Sequence, residues 1–251
     1  MKIAGYLKTS LIEWPGQVAA VVFTVGCNFH CPFCHNRDLV DPGKESGLKL
    51  ISETEIIKDL SGRKKWIDAV VVTGGEPTFQ TDLTEFLGKI KDLGFLRMVQ
   101  TNGSRPEIVK RLIADKLVDY FSLDVKTFFS NYPKVTGVKS PAVGDDVKQT
   151  LVKLLQSGLP FELRTTVVPK LHPEKDLIKM AEEIRETAIT EKGSRGVAKI
   201  KWFLQQFQPV NCLDTRFEKE PAYGRTELQT IVKKIKKIIP GVHLRGLSPA
   251  E

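Results

Sequence analysis

Short apolar runs alternate with longer amphipathic stretches along the chain. Runs at residues 19–24, 69–73, 97–101, 120–123, 163–168 and 201–205 are rich in β-branched and aromatic residues and have the length of buried strands. Helical patterns lie between them. Ser52 and Glu55 form a capping-box signature ahead of Ile56, Ile57 and Leu60. Leu83, Phe86, Leu87, Ile90 and Leu93 make one apolar stripe, and Gly94 follows where a left-handed cap would close it. Ile108, Val109, Leu112 and Ile113 make a second. Val147, Leu151, Leu154 and Leu155 make a third, stopped by Gly158-Leu159-Pro160. Near the C-terminus, Leu228, Ile231, Val232, Ile235, Ile238 and Ile239 define an amphipathic helix. Residues 128–144 read as a long polar loop of functional size, and 192–196 as a flexible surface loop.

Alternation of this kind predicts an α/β fold with a parallel sheet. An open doubly wound sheet and a barrel, complete or partial, both fit, and the pattern does not decide between them. In each of these folds ligands gather at the C-terminal ends of the strands. That is where the unusual residues stand. The first run leads into a cysteine cluster and the second into Gly74-Gly75-Glu76-Pro77. The third leads into Asn102-Gly103, the fourth into Asp124-Val125-Lys126, and the last ends beside Gln206 and Phe207.

Length and charge narrow the class. A chain of 251 residues can bury a substantial core as one α/β domain, with a motif-bearing core over about 17–215 and a helical extension over about 216–251. No apolar run approaches the roughly 20 residues that span a bilayer. Lys8, Glu13, Pro15 and Gly16 interrupt any signal-peptide layout, so a cytoplasmic protein without a membrane partner is expected. The net charge of +8 invites a nucleic-acid reading. Much of the surplus, however, is Lys233, Lys234, Lys236 and Lys237, on the polar side of the C-terminal helix. No aromatic-and-basic recognition motif accompanies them, and no nucleic-acid partner is expected.

Three of the four cysteines fall in Cys27-x-x-x-Cys31-x-x-Cys34, and Cys212 is remote. A disulfide framework would spread its pairs along the chain, whereas this spacing suits one compact metal centre. Two centres fit the thiolates. A cuboidal iron–sulfur cluster held by three cysteines leaves one iron open for a small molecule. A structural zinc could add His30, His35 or Cys212, which would make the chain a zinc-stabilised nucleic-acid-binding module instead.

Cys27-x-x-x-Cys31-x-x-Cys34 after a first strand, with Phe33 before the third cysteine, resembles the radical S-adenosylmethionine superfamily. Gly74-Gly75-Glu76-Pro77 after a second strand is similar to that superfamily's glycine–glycine–glutamate motif. The residues from Lys8 to Gly16, Cys34-His35-Asn36-Arg37, Thr101-Asn102-Gly103, Leu123-Asp124-Val125-Lys126 and Val167-Val168-Pro169 follow in an order that resembles the glycyl-radical-enzyme activating enzymes. The resemblance runs from about residue 5 to about 215. It implies a partial (β/α)6 TIM-like barrel with a C-terminal amphipathic helix. It also implies one 4Fe–4S cluster on Cys27, Cys31 and Cys34, and S-adenosylmethionine bound at the open iron. Reductive cleavage would give a 5′-deoxyadenosyl radical that installs a glycyl radical on a partner enzyme. The opening segment is similar to that of pyruvate formate-lyase activating enzymes, and the implied partner is anaerobic ribonucleoside-triphosphate reductase. A flavodoxin or ferredoxin would donate the electron. The lack of further cysteine runs fits an activase without auxiliary clusters; an activase for another glycyl-radical enzyme, or a radical enzyme acting on a small molecule or peptide, stays open.

Residue roles follow from the same resemblance. Gly74, Gly75 and Glu76 would meet the methionine amino group, and Phe33 would pack beside the adenine. Asp124 and Lys126 share a strand parity and so can point to one interior; their implied partners are the ribose or a cation, and the methionine carboxylate. Arg164 could face the same anionic groups, and Thr101 belongs to the same cofactor set. Asn36 resembles a position near the substrate glycine. There are two departures. Gln100 stands where aspartate is expected, which puts a bound monovalent cation in doubt. Phe207 stands near an expected histidine, which suggests that adenosine is held partly by stacking. His30 and His35 read as surroundings of the cluster, and Cys212 as a bystander.

Overall fold

In the computed structural model, residues 1–40 and 47–247 are described. The strands are β1 (Ile3–Ser10), β2 (Ala19–Thr24), β3 (Ala69–Gly74), β4 (Leu96–Thr101), β5 (Tyr120–Asp124), β6 (Phe161–Val167), β7 (Trp202–Gln206) and β8 (Val242–Arg245). The helices are α1 (Arg37–Val40), α2 (Glu53–Gly62), α3 (Leu83–Asp92), α4 (Pro106–Ala114), α5 (Tyr132–Thr136), α6 (Val143–Ser157), α7 (Glu174–Lys192), α8 (Ser194–Lys199) and α9 (Arg225–Ile235). The chain divides into two compact units. One holds Met1–Asn28, Asn36–Thr101 and Glu107–Ser122; the other holds Phe29–His35, Asn102–Pro106 and the chain from Leu123 onward. In both, strand order follows chain order.

In the first unit β1 runs antiparallel to β2, while β2, β3 and β4 are parallel. Ala19 to Val22 on β2 and Ala69 to Val72 on β3 are fully buried. Consecutive burial means that both faces of the sheet are covered, which is why these strands read as continuous apolar runs rather than alternating ones. On one face Trp14, Ala19, Val21, Ala69, Val71 and Met98 pack together, with Phe23 and Tyr120 against them. The Trp14 and Tyr120 rings lie 5.4 Å apart. The Ser52 hydroxyl accepts the Glu55 N–H at 3.1 Å, so α2 begins where the capping signature places it. Gly94, at φ 86°, follows α3 as the left-handed residue.

In the second unit β6, β7 and β8 are parallel, with Leu163 opposite Trp202 and Trp202 opposite Val242. Several expectations change here. Residues 128–144 hold a 3-10 turn, Phe129–Asn131, then α5 and the start of α6. Phe129, Tyr132 and Val135 are buried, so the segment is anchored by aromatic and β-branched side chains that its polar flanks obscured. The expected surface loop at 192–196 is the junction of two helices: α7 ends at Lys192, and Gly193, at φ 59°, turns the chain into α8. The C-terminal stretch is more than a helix. Leu228, Ile231, Val232 and Ile235 of α9 are buried as their spacing predicts, and β8 then pairs with β7. Lys233, Lys236 and Lys237 are exposed, and Lys234 pairs with Glu174 at 2.6 Å. Among the described residues no helix is long and apolar enough to cross a membrane.

Candidate active site

In the first unit, the ends of β2 and β3 are held together by main chain. The Gly75 N–H donates to the Thr24 carbonyl and the Glu76 N–H to the Gly26 carbonyl, each at 2.8 Å. A Cβ on Gly74 would lie 2.5 Å from the Thr24 carbonyl oxygen, and Gly74 has φ 110°. A Cβ on Gly75 would run into the Gly26 carbonyl. The two glycines are therefore required by the chain's own backbone next to Cys27, in addition to any ligand. Gly26 itself turns at φ 98°, donating to the Leu39 carbonyl at 2.7 Å, and the Cys27 N–H donates to Val40 at 3.0 Å. The Asn36 amide donates to the Gly74 carbonyl at 3.1 Å, on the same turn.

Glu76 is 1% exposed. Its Oε1 accepts the Thr78 N–H at 3.0 Å, the Thr78 hydroxyl at 2.6 Å and the Thr101 hydroxyl at 2.6 Å. Three donors on one oxygen fix the carboxylate's orientation, and they give Thr101 a place beside Glu76. Gln100 is engaged elsewhere. Its Oε1 accepts the Thr73 hydroxyl at 2.8 Å, and its Nε2 donates to Glu13 at 3.0 Å. The residue that stands where aspartate was expected thus ties β3 and β4 to the segment before β2.

In the second unit, the remaining half of the cysteine loop is gripped from two sides. The His30 N–H donates to the Thr136 carbonyl of α5 at 2.8 Å. From the other side, Leu213 and Asp214 N–H groups donate to the Cys34 and Pro32 carbonyls at 3.0 and 2.9 Å. The Asn211 amide donates to the His35 carbonyl at 3.0 Å. His35 Nε2 lies 2.7 Å from the Gln208 carbonyl, and its ring stacks on Phe207 with centroids 6.0 Å apart. Phe207 is fully buried in this stack. Cys212 is also buried, in the segment that does the gripping, and its N–H donates to Glu218 at 3.0 Å.

Asp124, Lys126 and Arg164 form one charged group. Asp124 Oδ1 accepts from Arg164 Nε and Oδ2 from Lys126 Nζ, both at 3.0 Å. Burial alone would raise the Asp124 pKa, but the two cations outweigh it and hold it at about 2. Burial likewise works against the Lys126 charge. Asp124 and the Cys31 and Cys34 sulfurs outweigh that, and Lys126 stays protonated well above the usual lysine range. Lys126 is thus the cation that stands beside the Cys31 and Cys34 sulfurs. None of the four cysteines is joined in a disulfide. Among the described residues no group of three or more His, Cys, Asp or Glu side chains is gathered for a single metal ion.

Two residues that the sequence did not single out belong to this group. The Tyr132 hydroxyl accepts the Lys126 N–H at 3.0 Å. His172, fully buried, places Nε2 at 2.6 Å from the Lys126 carbonyl and Nδ1 at 3.0 Å from the Val168 N–H. Phe33 is 4% exposed and meets the His172 ring edge-on, with centroids 6.1 Å apart. The available signal was positional: His172 follows Val167-Val168-Pro169 past a strand's C-terminal end.

The chain matches the radical SAM superfamily over residues 21–184. It is 32% identical to a Methanocaldococcus jannaschii protein named, provisionally, a glycyl-radical enzyme activating enzyme, covering 98% of this chain and 96% of that one. It is 26% identical to the pyruvate formate-lyase-activating enzyme of Clostridium pasteurianum, over 91% of this chain and 94% of the relative. Its fold is similar to that of Streptococcus suis SuiB bound to S-adenosylmethionine. There the TM-score is 0.66 at 16% identity, over 91% of this chain and 50% of SuiB, so the chain spans about half the length of that protein.

Proposed function

The chain belongs to the radical SAM superfamily, and on that premise we propose that it is the activase of a glycyl-radical enzyme, with anaerobic ribonucleoside-triphosphate reductase as its partner. It is an enzyme with the α/β, partial-barrel fold of that superfamily, and its cofactors are a 4Fe–4S cluster and S-adenosylmethionine. The observation that carries the activase reading is the match, along 98% of this chain and 96% of the relative, to a protein provisionally named a glycyl-radical enzyme activating enzyme.

The donor set fits these cofactors. Cys27, Cys31 and Cys34 would ligate the cluster, leaving one iron for the small molecule. When bound, the pair supplies one-electron cleavage of S-adenosylmethionine and hence a carbon radical able to take a hydrogen atom from a backbone glycine. The chain's own part is to bind and to aim. Lys126 keeps its charge at any working pH and can pair with the methionine carboxylate, while Asp124 holds it and Arg164 together. Glu76, oriented by Thr78 and Thr101, would receive the methionine amino group beside the Gly74-Gly75 turn. Phe33 would lie beside the adenine. Phe207 would stack on adenosine only through the face that His35 does not occupy. The similarity to a pyruvate formate-lyase-activating enzyme supports a second reading, with a lyase-type partner. A flavodoxin or ferredoxin would supply the electron, its acidic surface suiting a net charge of +8. A cytoplasmic site of action completes the proposal.

The test is anaerobic. Purified protein should hold iron and labile sulfide in cluster stoichiometry, and once reduced it should convert S-adenosylmethionine to 5′-deoxyadenosine. Adding the reductase should give a glycyl-radical doublet in electron paramagnetic resonance. Zinc without sulfide would sink the whole reading. Turnover with no doublet on the reductase, but a doublet on a lyase-type enzyme, would replace the partner.

A further inference from the structure

Lys126 stands two residues beyond the last residue of β5, where no strand ladder serves its peptide groups. Both are nevertheless satisfied, and by side chains. The Tyr132 hydroxyl accepts its N–H, and His172 Nε2 faces its carbonyl. Tyr132 and His172 are each 0% exposed, so water does not compete for either bond. The roles on the imidazole are fixed by its partners. A main-chain N–H can only donate, so Nδ1 accepts from Val168. A carbonyl can only accept, so Nε2 carries the hydrogen and donates to Lys126. Only the neutral ring with hydrogen on Nε2 meets both demands. His172 is itself tied down: its N–H donates to the Val168 carbonyl at 2.8 Å, and its carbonyl accepts the Tyr223 hydroxyl at 3.1 Å.

We infer that Tyr132 and His172 are positioning residues that brace the Lys126 main chain and so aim its ammonium group at the carboxylate of S-adenosylmethionine. The inference rests on the cofactor role proposed above for Lys126. A lysine carries four rotatable side-chain bonds, so the place of its charge depends on where its Cα is held. Asp124 restrains the charged end, and the brace restrains the root. The long segment 128–144 acquires a task through Tyr132: α5 delivers that hydroxyl, and the α5 carbonyl of Thr136 accepts from His30 in the cysteine loop. Phe33, edge-on to His172, would feel the same brace.

The test uses anaerobically reconstituted full-length protein with four substitutions: Lys126→Ala, His172→Asn, His172→Gln and Tyr132→Phe. Asparagine can keep the acceptor toward Val168 but cannot reach Lys126; glutamine can keep the donor toward Lys126. Iron and sulfide content, S-adenosylmethionine affinity by calorimetry, and KM and kcat for 5′-deoxyadenosine formation are read for each. His172→Asn and Tyr132→Phe should weaken affinity and raise KM by roughly tenfold each, the size of one lost positioning bond, with iron content and kcat near the parent's. His172→Gln should stay closer to the parent. Parent-like affinity in His172→Asn and Tyr132→Phe, beside a clear loss in Lys126→Ala, would overturn the brace alone. Parent-like affinity in Lys126→Ala would overturn the role given to Lys126, and the brace with it. Equal loss of iron in both His172 variants would make that residue structural and remove it from the brace.

Discussion

Asp124 accepts from Arg164 on one oxygen and from Lys126 on the other, and the cost of losing it is set by the two cations left facing each other. Asp124→Asn should lower unfolding stability by roughly 1–3 kcal/mol, the range for a charged hydrogen-bonding partner removed from a partly buried site. Urea unfolding of the reconstituted protein under argon measures it, and a parent-like midpoint would show that the triad is not structural. His172 gives a pH dependence. Burial lowers its folded pKa to about 4, against about 6.5 in an unfolded chain. As pH falls below 6.5 the unfolded chain takes up the proton first, so stability is complete above that value and drains away toward pH 4. Between pH 7 and 5 the loss from this residue should be about 2 kcal/mol. His172→Gln should flatten that part of the urea-midpoint profile, and an unchanged slope in this variant would assign the titration elsewhere. Asp124 acts lower. Its pKa of about 2 makes its contribution complete above about pH 4 and lost only in stronger acid.

At the scale of elements, the joined ends of β2 and β3 matter most. Gly74 and Gly75 were legible as a strand-end motif and, by resemblance, as a ligand-binding turn. Their packing against Thr24 and Gly26 was not legible, because it depends on two strands distant in sequence meeting in register. Gly75→Ala should therefore destabilise the fold by about 2 kcal/mol or more through backbone overpacking, and it should displace Cys27. Thermal unfolding together with iron content checks both; a variant with parent-like midpoint and iron would mean that the turn relaxes freely. The helices divide in an instructive way. Large apolar side chains at helical spacing announced α3, α4, α6 and α9. The longest helix, α7, buries Leu177, Met180, Ala181, Ile184, Thr187 and Ala188, a stripe half made of small or polar residues that gave little contrast. The two missed strands are weak for a similar reason. Only Val242 is buried along β8, and β1 is mostly half-buried or exposed along its outer length.

Across the molecule, S-adenosylmethionine should stabilise the reconstituted protein by mass action, about 2.7 kcal/mol at a hundredfold excess over its dissociation constant. Scanning fluorimetry under argon reads this as a rise in thermal midpoint that Lys126→Ala should reduce; no rise in the parent would contradict a preformed site. The sequence by itself determined the α/β class, the family, the cysteine spacing and the charged residues past the strand ends. These are local signals: hydrophobic period, turn residues and short motifs survive being read one stretch at a time. Only the tertiary structure decided what each of them touches. It showed that Glu76 is oriented by Thr101, 25 residues away, that Gln100 is spent on Thr73 and Glu13, and that Phe207 stacks on His35. It also brought His172 and Tyr132 to the two peptide groups of Lys126. Contacts of this kind depend on the path of the whole chain, and no local pattern encodes them.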